Sequence, residues 1–137
     1  MIETKTTQSD IDIQAALRQV LTSAEYAPLT HDRRHVEIAV QDGVVTVSGH
    51  VKTPQTVLYL RNRAATIPGV KAVQIENLFD DETIRREVGK VIPYGVQVRV
   101  EYGTVILTGQ IPQDTSVEEL VKRVALVPGV HRVITTF

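Results

Sequence analysis

The chain has 137 residues and no cysteine. Disulfides, zinc–thiolate sites and a thiol nucleophile are thereby excluded, while the compartment stays open, because reducing and oxidising environments both host cysteine-free domains. It also lacks a charge bias. Fifteen Lys and Arg stand against 16 Asp and Glu, eight of each up to Leu78 and seven against eight beyond it. The basic stripe that non-specific DNA binding demands is therefore missing, nucleic acid is not an expected partner, and any phosphate-binding surface has to be a local patch. No stretch approaches the ~20 apolar residues of a membrane span. The polar start, MIETKTTQSD, lacks the apolar centre of a secretory signal. The expected location is the cytoplasm for the chain as it stands, or the periplasm and envelope if it was cut from a longer protein. Also missing are a glycine-rich phosphate loop, G-x-S-x-G, H-E-x-x-H and a Ser/His/Asp set placed by motif. We expect no catalytic residues, no metal site and no cofactor: the chain does not read as an enzyme.

What is present is a repeat. Residues 36–77 and 96–137 align without a gap at a constant offset of 60, with thirteen identities. The identities include Gly43/Gly103, Gly49/Gly109, Leu60/Leu120, Gly69/Gly129 and Val70/Val130, and most other positions exchange apolar residues. Two like units follow: residues 1–78, with an extra segment at 22–35, and residues 79–137. Units this small are near the lower limit for a self-sufficient core, so the two are expected to touch.

Each unit reads as helix, strand, strand, helix, strand. Ile13, Ala16, Leu17, Val20, Leu21 and Ala24 form one helical stripe, with Ser9 or Asp10 as its N-cap. Val36, Ile38 and Val40 alternate with Glu37, Ala39 and Gln41 as a half-buried strand, Asp42-Gly43 signals a hairpin turn, and Val45, Val47 and Val51 return. Gly49 and Gly109, inside strands, mark a bulge or a close backbone approach. Thr53-Pro54 opens a second helix with stripe Val57, Leu60, Ala64 and Ile67, Pro68-Gly69 stops it, and Val70, Val73 and Ile75 make a third strand. The second unit repeats the order with Ile84, Val88 and Val91, then Val96/Val98/Val100, Val105/Leu107/Ile111, Val117/Leu120/Val121/Val124 and Val130/Val133. The expected fold is α+β: two αββαβ units, each a three-stranded mixed sheet with both helices on one face, since each helix carries a single apolar stripe. Matching Ile13 to Ile84 gives a helix offset of 71, so the first unit is 11 residues longer before its first strand. The join at Asn77–Asp81 leaves almost no linker, which predicts a fixed relative orientation.

VEIAVQDGVVTVSGHV followed by IPGVKAVQIENL, and VQVRVEYGTVILTGQI followed by VPGVHRVITTF, resemble the BON domain of bacterial envelope and stress proteins. Gly43, Gly49, Gly69 and Val70, with Gly103, Gly109, Gly129 and Val130, carry the resemblance. The departures are Tyr102, where an acidic or Asn residue usually precedes the turn glycine, the 11 extra residues, and the absence of a signal segment. The resemblance implies a non-enzymatic binding or assembly module, contacting anionic phospholipid surfaces or an envelope- or stress-related protein. Its alternatives are a sensor or regulatory module for potassium, a property of a branch joined to a LysM segment not found here, and a structural homo-oligomer built through exposed sheet edges.

Two places stand out as candidate sites. His31-Asp32-Arg33-Arg34-His35 is read on a loop, with three readings open. It is a solvated loop; or Arg33 and Arg34 fork onto phosphate or carboxylate, with His31 and His35 adding charge below neutral pH; or the histidines hold a divalent metal, against which the two arginines count. The second place is Leu58-Tyr59 with Arg61 and Arg63. The stripe explains Val57 and Leu60 but leaves Leu58 and Tyr59 on the flank, where the other unit has Glu118 and Glu119. Packing against unit two, or against the extra segment through Tyr26, Pro28 and Leu29, is one reading; an external partner or membrane surface is the other. Glu118-Glu119 and Asp80-Asp81-Glu82 fall in first turns of helices, where the dipole accounts for them.

Overall fold

The computed structural model describes residues 8–137; the first seven residues of the polar start lie outside the described residues. Unit one runs α1 (Gln8–Thr22), α2 (Leu29–Asp32), a 3-10 turn (Arg33–His35), β1 (Val36–Gln41), β2 (Val44–Val51), α3 (Pro54–Ala65), β3 (Ala72–Gln74) and β4 (Leu78–Asp80). Unit two runs α4 (Asp81–Gly89), β5 (Val96–Glu101), β6 (Thr104–Gly109), α5 (Val117–Ala125) and β7 (Arg132–Thr136).

The period-2 pattern sorts each hairpin into two faces. Val36, Ile38 and Val40 stand opposite Gly49, Val47 and Val45, and Glu37, Ala39 and Gln41 opposite Ser48, Thr46 and Val44. The first set joins Ile13, Leu17 and Val20 of α1 and Leu60 and Ala64 of α3 in one core. Both helices therefore cover one face and leave the polar face open. Unit two repeats this with Ile84 and Val88, Leu120 and Val124, and the inward residues of β5 and β6. In each sheet the third strand runs parallel to the second strand of the hairpin. Val70 and Val130 sit just ahead of those third strands and pack on their cores.

Both hairpin turns place two residues at positive φ: Asp42 at 52° and Gly43 at 79°, Tyr102 at 47° and Gly103 at 82°. That is the primed geometry whose twist matches the flanking strands. Gly49 and Gly109 are close-approach glycines, since a Cβ there would fall on the carbonyl oxygens of His35 and Gly95.

Several details differ from the sequence expectation. Neither Ser9 nor Asp10 precedes α1: both lie in its first turn, and the helix ends at Thr22, leaving Ala24 exposed. Helix α3 ends at Ala65, before Pro68-Gly69. The third strand of unit one is in two pieces, because a turn from Leu78 N–H to the Ile75 carbonyl interrupts it. The second piece, β4, also pairs with β2, so the join between units is itself part of unit one's sheet. Segment 31–35, expected as a loop, is helical, in the last turn of α2 and the 3-10 turn that follows. Leu29 drives that, being fully buried in unit one's core.

Candidate functional site

The least expected chemistry is a pair of buried carboxylates. Asp10 accepts from the Asp42 and Gly43 amides at 2.9 Å each. Asp81 accepts from the Tyr102 and Gly103 amides at 2.7 and 3.0 Å. Each first helix thus grips its own hairpin turn, whose N–H groups point into the protein. Asp80, one residue earlier, is the N-cap of α4, accepting from Thr83 N–H. The helix dipole explains Asp80 and Glu82, but Asp81 has this separate role. Burial pushes the Asp81 carboxyl above its ordinary value, while the two amide donors and the Lys52 charge pull it back. Asp10 and Asp81 share the offset of 71 that aligns Ile13 with Ile84, and that was the legible signal.

Because Tyr102 sits in a gripped turn, its side chain is aimed at unit one. Its hydroxyl donates to Asp32 Oδ1 at 2.7 Å, and Asp32 Oδ2 accepts from the Lys52 amide at 3.2 Å. The His35 ring stacks on the Tyr102 ring at 3.6 Å with a 13° tilt. Lys52 Nζ lies 4.5 Å from the Tyr102 ring centroid and bonds Glu101 at 2.7 Å. Alongside, His50 Nε2 donates to the Gly129 carbonyl at 2.7 Å. The 11 extra residues therefore have a use: they supply Asp32 and His35 to the joint that Tyr102 enters. Lys52 holds Glu101 below its ordinary value, mainly through that hydrogen bond.

The Tyr102 phenol is raised well above its ordinary value, first by burial and then by the Asp32 carboxylate it serves. A raised phenol favours the fold while neutral. Its contribution is whole below the ordinary value of 10.0 and is lost as pH climbs through the folded value. Phenolate absorbance against pH should thus show a late component that Tyr102→Phe removes. If Tyr102→Phe left the late component in place, the Asp32–Tyr102 bond would be contradicted.

Outside this joint lies a cleft of about 400 Å³, lined by Pro28, His31, Arg34, His35, Lys52 and Tyr102 over buried Asp32. His31, Arg34 and His35 come together there, and Arg33 does not line it. No described carboxylate lies within ion-pair distance of Arg33 or Arg34. The metal reading has no support in geometry: Asp32 spends both oxygens on the joint, and no cluster of three ligands occurs among the described residues.

The four flank residues on α3 divide. Tyr59 packs on Tyr26 with ring centroids 4.1 Å apart, and Arg63 reaches Glu25 at 3.7 Å, so the extra segment covers this side. Leu58 and Arg61 remain exposed. Among the described residues no helix is long and apolar enough to cross a membrane.

The BON domain family matches residues 9–78 and again residues 80–137. No curated protein matches the chain. Similar solved structures include two of one protein. One is from structural studies of CdsD, a structural protein of the type III secretion system of Chlamydia trachomatis, with TM-score 0.66 and 14% identity, covering 89% of this chain and 60% of that one. The other is the C-terminal domain of the same protein, with TM-score 0.59 and 17% identity, covering 96% and 64%. This chain spans less than two thirds of either, and at such identities the likeness is one of fold.

Proposed function

The chain belongs to the BON domain family in both of its halves, and from that premise we propose that it is a binding module whose joint cleft docks on an anionic phospholipid surface of the envelope. Family membership carries the coarse part, a non-enzymatic module for binding or assembly. The structural role named for the secretion-system protein of like fold supports the same coarse reading. The observation that carries the finer part is the cleft itself. It gathers Arg34, His31 and His35 on one rim, and Arg34 has no described carboxylate to pair with. Two units locked together hold that rim in one orientation, which lowers the ordering cost of binding. A headgroup phosphate suits a forked guanidinium better than a lone ammonium.

Sedimentation with vesicles tests this. The protein should pellet with phosphatidylglycerol vesicles and stay in solution with phosphatidylcholine vesicles. Binding should weaken as salt shortens the ~8 Å screening length. A basic side chain at such a surface is worth about 1 kcal/mol, so Arg34→Glu should cost on the order of tenfold in affinity. Arg33→Glu, outside the cleft, should cost less. Equal binding to both vesicle types, or an equal loss from the two reversals, would remove the cleft from the account.

A further inference from the structure

The two units differ at one sheet edge. In unit one the third-strand edge is interrupted: β3 and β4 are three residues each, with a turn between them. In unit two the corresponding edge is β7, five residues without a break, pairing among the described residues with β6 alone. Across the offset of 60, Glu76 becomes Thr136, Asn77 becomes Phe137, and Arg61 on the overlying helix becomes Val121. Interruption and charge are the devices by which proteins keep edge strands from pairing. Unit one has the interruption together with Glu76 and Arg61; unit two has no interruption, and Arg132 at the start of β7 is the one charge on its strand. Its edge is β-branched from Val133 to Thr136, with Phe137 44% exposed at the end.

The overlying helix agrees. Helix α4 packs on β5 and α5 on β7, so on their common face they lie toward opposite edges of the sheet. Arg123 reaches the Val91 carbonyl, so that flank of α5 faces the end of α4. Helical spacing puts Val117 and Val121 on the other flank, above the open edge of β7. Val117 is 41% exposed despite its apolar side chain.

We propose that β7 is a self-association edge, and that its partner is β7 of a second copy of this chain, paired antiparallel about a two-fold axis through Ile134. The two sheets join into one of six strands, and the α5 flanks meet across the axis, Val117 and Val121 against their counterparts. Arg132, the only charge on the strand, then stands opposite Thr136 of the other copy, so no like charges face each other. A two-fold axis makes the contact close on itself, giving a dimer rather than a fibre. The area is small for a stable interface, so the dimer is a weak one that forms as concentration rises. This inference stands apart from the cleft, which lies at the joint between the units.

Sedimentation velocity over a concentration series tests it. The intact chain should shift from monomer to dimer. Val121→Arg, Thr136→Glu and Phe137→Asn together, which give unit two the residues of unit one at three exposed or half-exposed sites, should hold it monomeric with an unchanged circular dichroism spectrum. Since the chain has no cysteine, Ile134→Cys alone should form an intermolecular disulfide under mild oxidation, and Glu37→Cys, on the far sheet, should not. Dimerisation that survives the triple substitution, a wild-type chain monomeric throughout, or equal crosslinking of the two cysteine variants would overturn the proposal. Vesicle binding by the monomeric triple variant would show the cleft intact.

Discussion

Asp81→Ala should destabilise unit two by about 3 kcal/mol or more, the largest single effect expected outside the apolar core. Two backbone N–H groups lose a charged acceptor and stay buried, and each such loss costs roughly 1–3 kcal/mol. Against the ~5–15 kcal/mol that holds an ordinary domain, that is a large fraction. Asp81→Asn keeps one carbonyl acceptor and should lose less. Urea unfolding of each variant gives the comparison, and a midpoint unmoved by Asp81→Ala would show that the turn does not need its carboxylate. A second signature follows from protonation. Burial raises Asp81 above its ordinary 3.8, so the folded chain keeps a proton that the unfolded chain has released. This group's contribution to stability therefore falls as pH rises through that window, and the fall should be missing from Asp81→Asn. Asp10→Ala should act on unit one in the same way, since Asp10 grips the Asp42-Gly43 turn.

Tyr102→Ala comes next, and it acts on the joint rather than on either core. Asp32 is 1% exposed and would lose the hydroxyl on one oxygen, for about 1.5–3 kcal/mol. The stacked His35 ring adds about 0.5–1.5 kcal/mol. A loss of roughly 2–4 kcal/mol should separate the melting of the two units, which the joint is expected to couple in the intact chain. Tyr102→Gly should be milder by about 1 kcal/mol, because residue 102 sits at φ 47°, where a Cβ is strained. A single transition at the wild-type midpoint in Tyr102→Ala would mean that the joint contributes nothing.

The contrast between Asp81 and Tyr102 shows what was legible in the sequence. Alternation in β1 and β2, the Asp42-Gly43 turn and the 60-residue repeat are local or periodic, and they led directly to two αββαβ units. Asp81 was visible but had a simpler account at hand: a carboxylate in the first turn of a helix satisfies the dipole, and nothing local reveals that it reaches a turn 21 residues on. Tyr102 stood out as an odd residue before a turn glycine, yet its partner Asp32 is 70 residues away and packing alone brings them together. Segment 31–35 read as a loop just before a strand. One residue, Leu29, decides otherwise by entering the core. His31, Arg34 and His35 were named from composition, whereas Lys52, which completes the cleft, follows a strand in a context that gives no hint of it. On α3, Tyr59 had its partner among the residues considered, since Tyr26 was one of the three suggested to cover it.

The account's central claim is that a fixed joint between two BON units presents one cationic cleft to an anionic lipid surface. Amide chemical-shift mapping of the isotope-labelled chain, titrated with phosphatidylglycerol nanodiscs, tests it most directly. The account predicts that perturbations gather at residues 28–35, at Lys52 and at Tyr102, and that they vanish with phosphatidylcholine nanodiscs. Perturbations centred on the open sheet faces or on α5, with residues 28–35 and 102 unmoved, would contradict it.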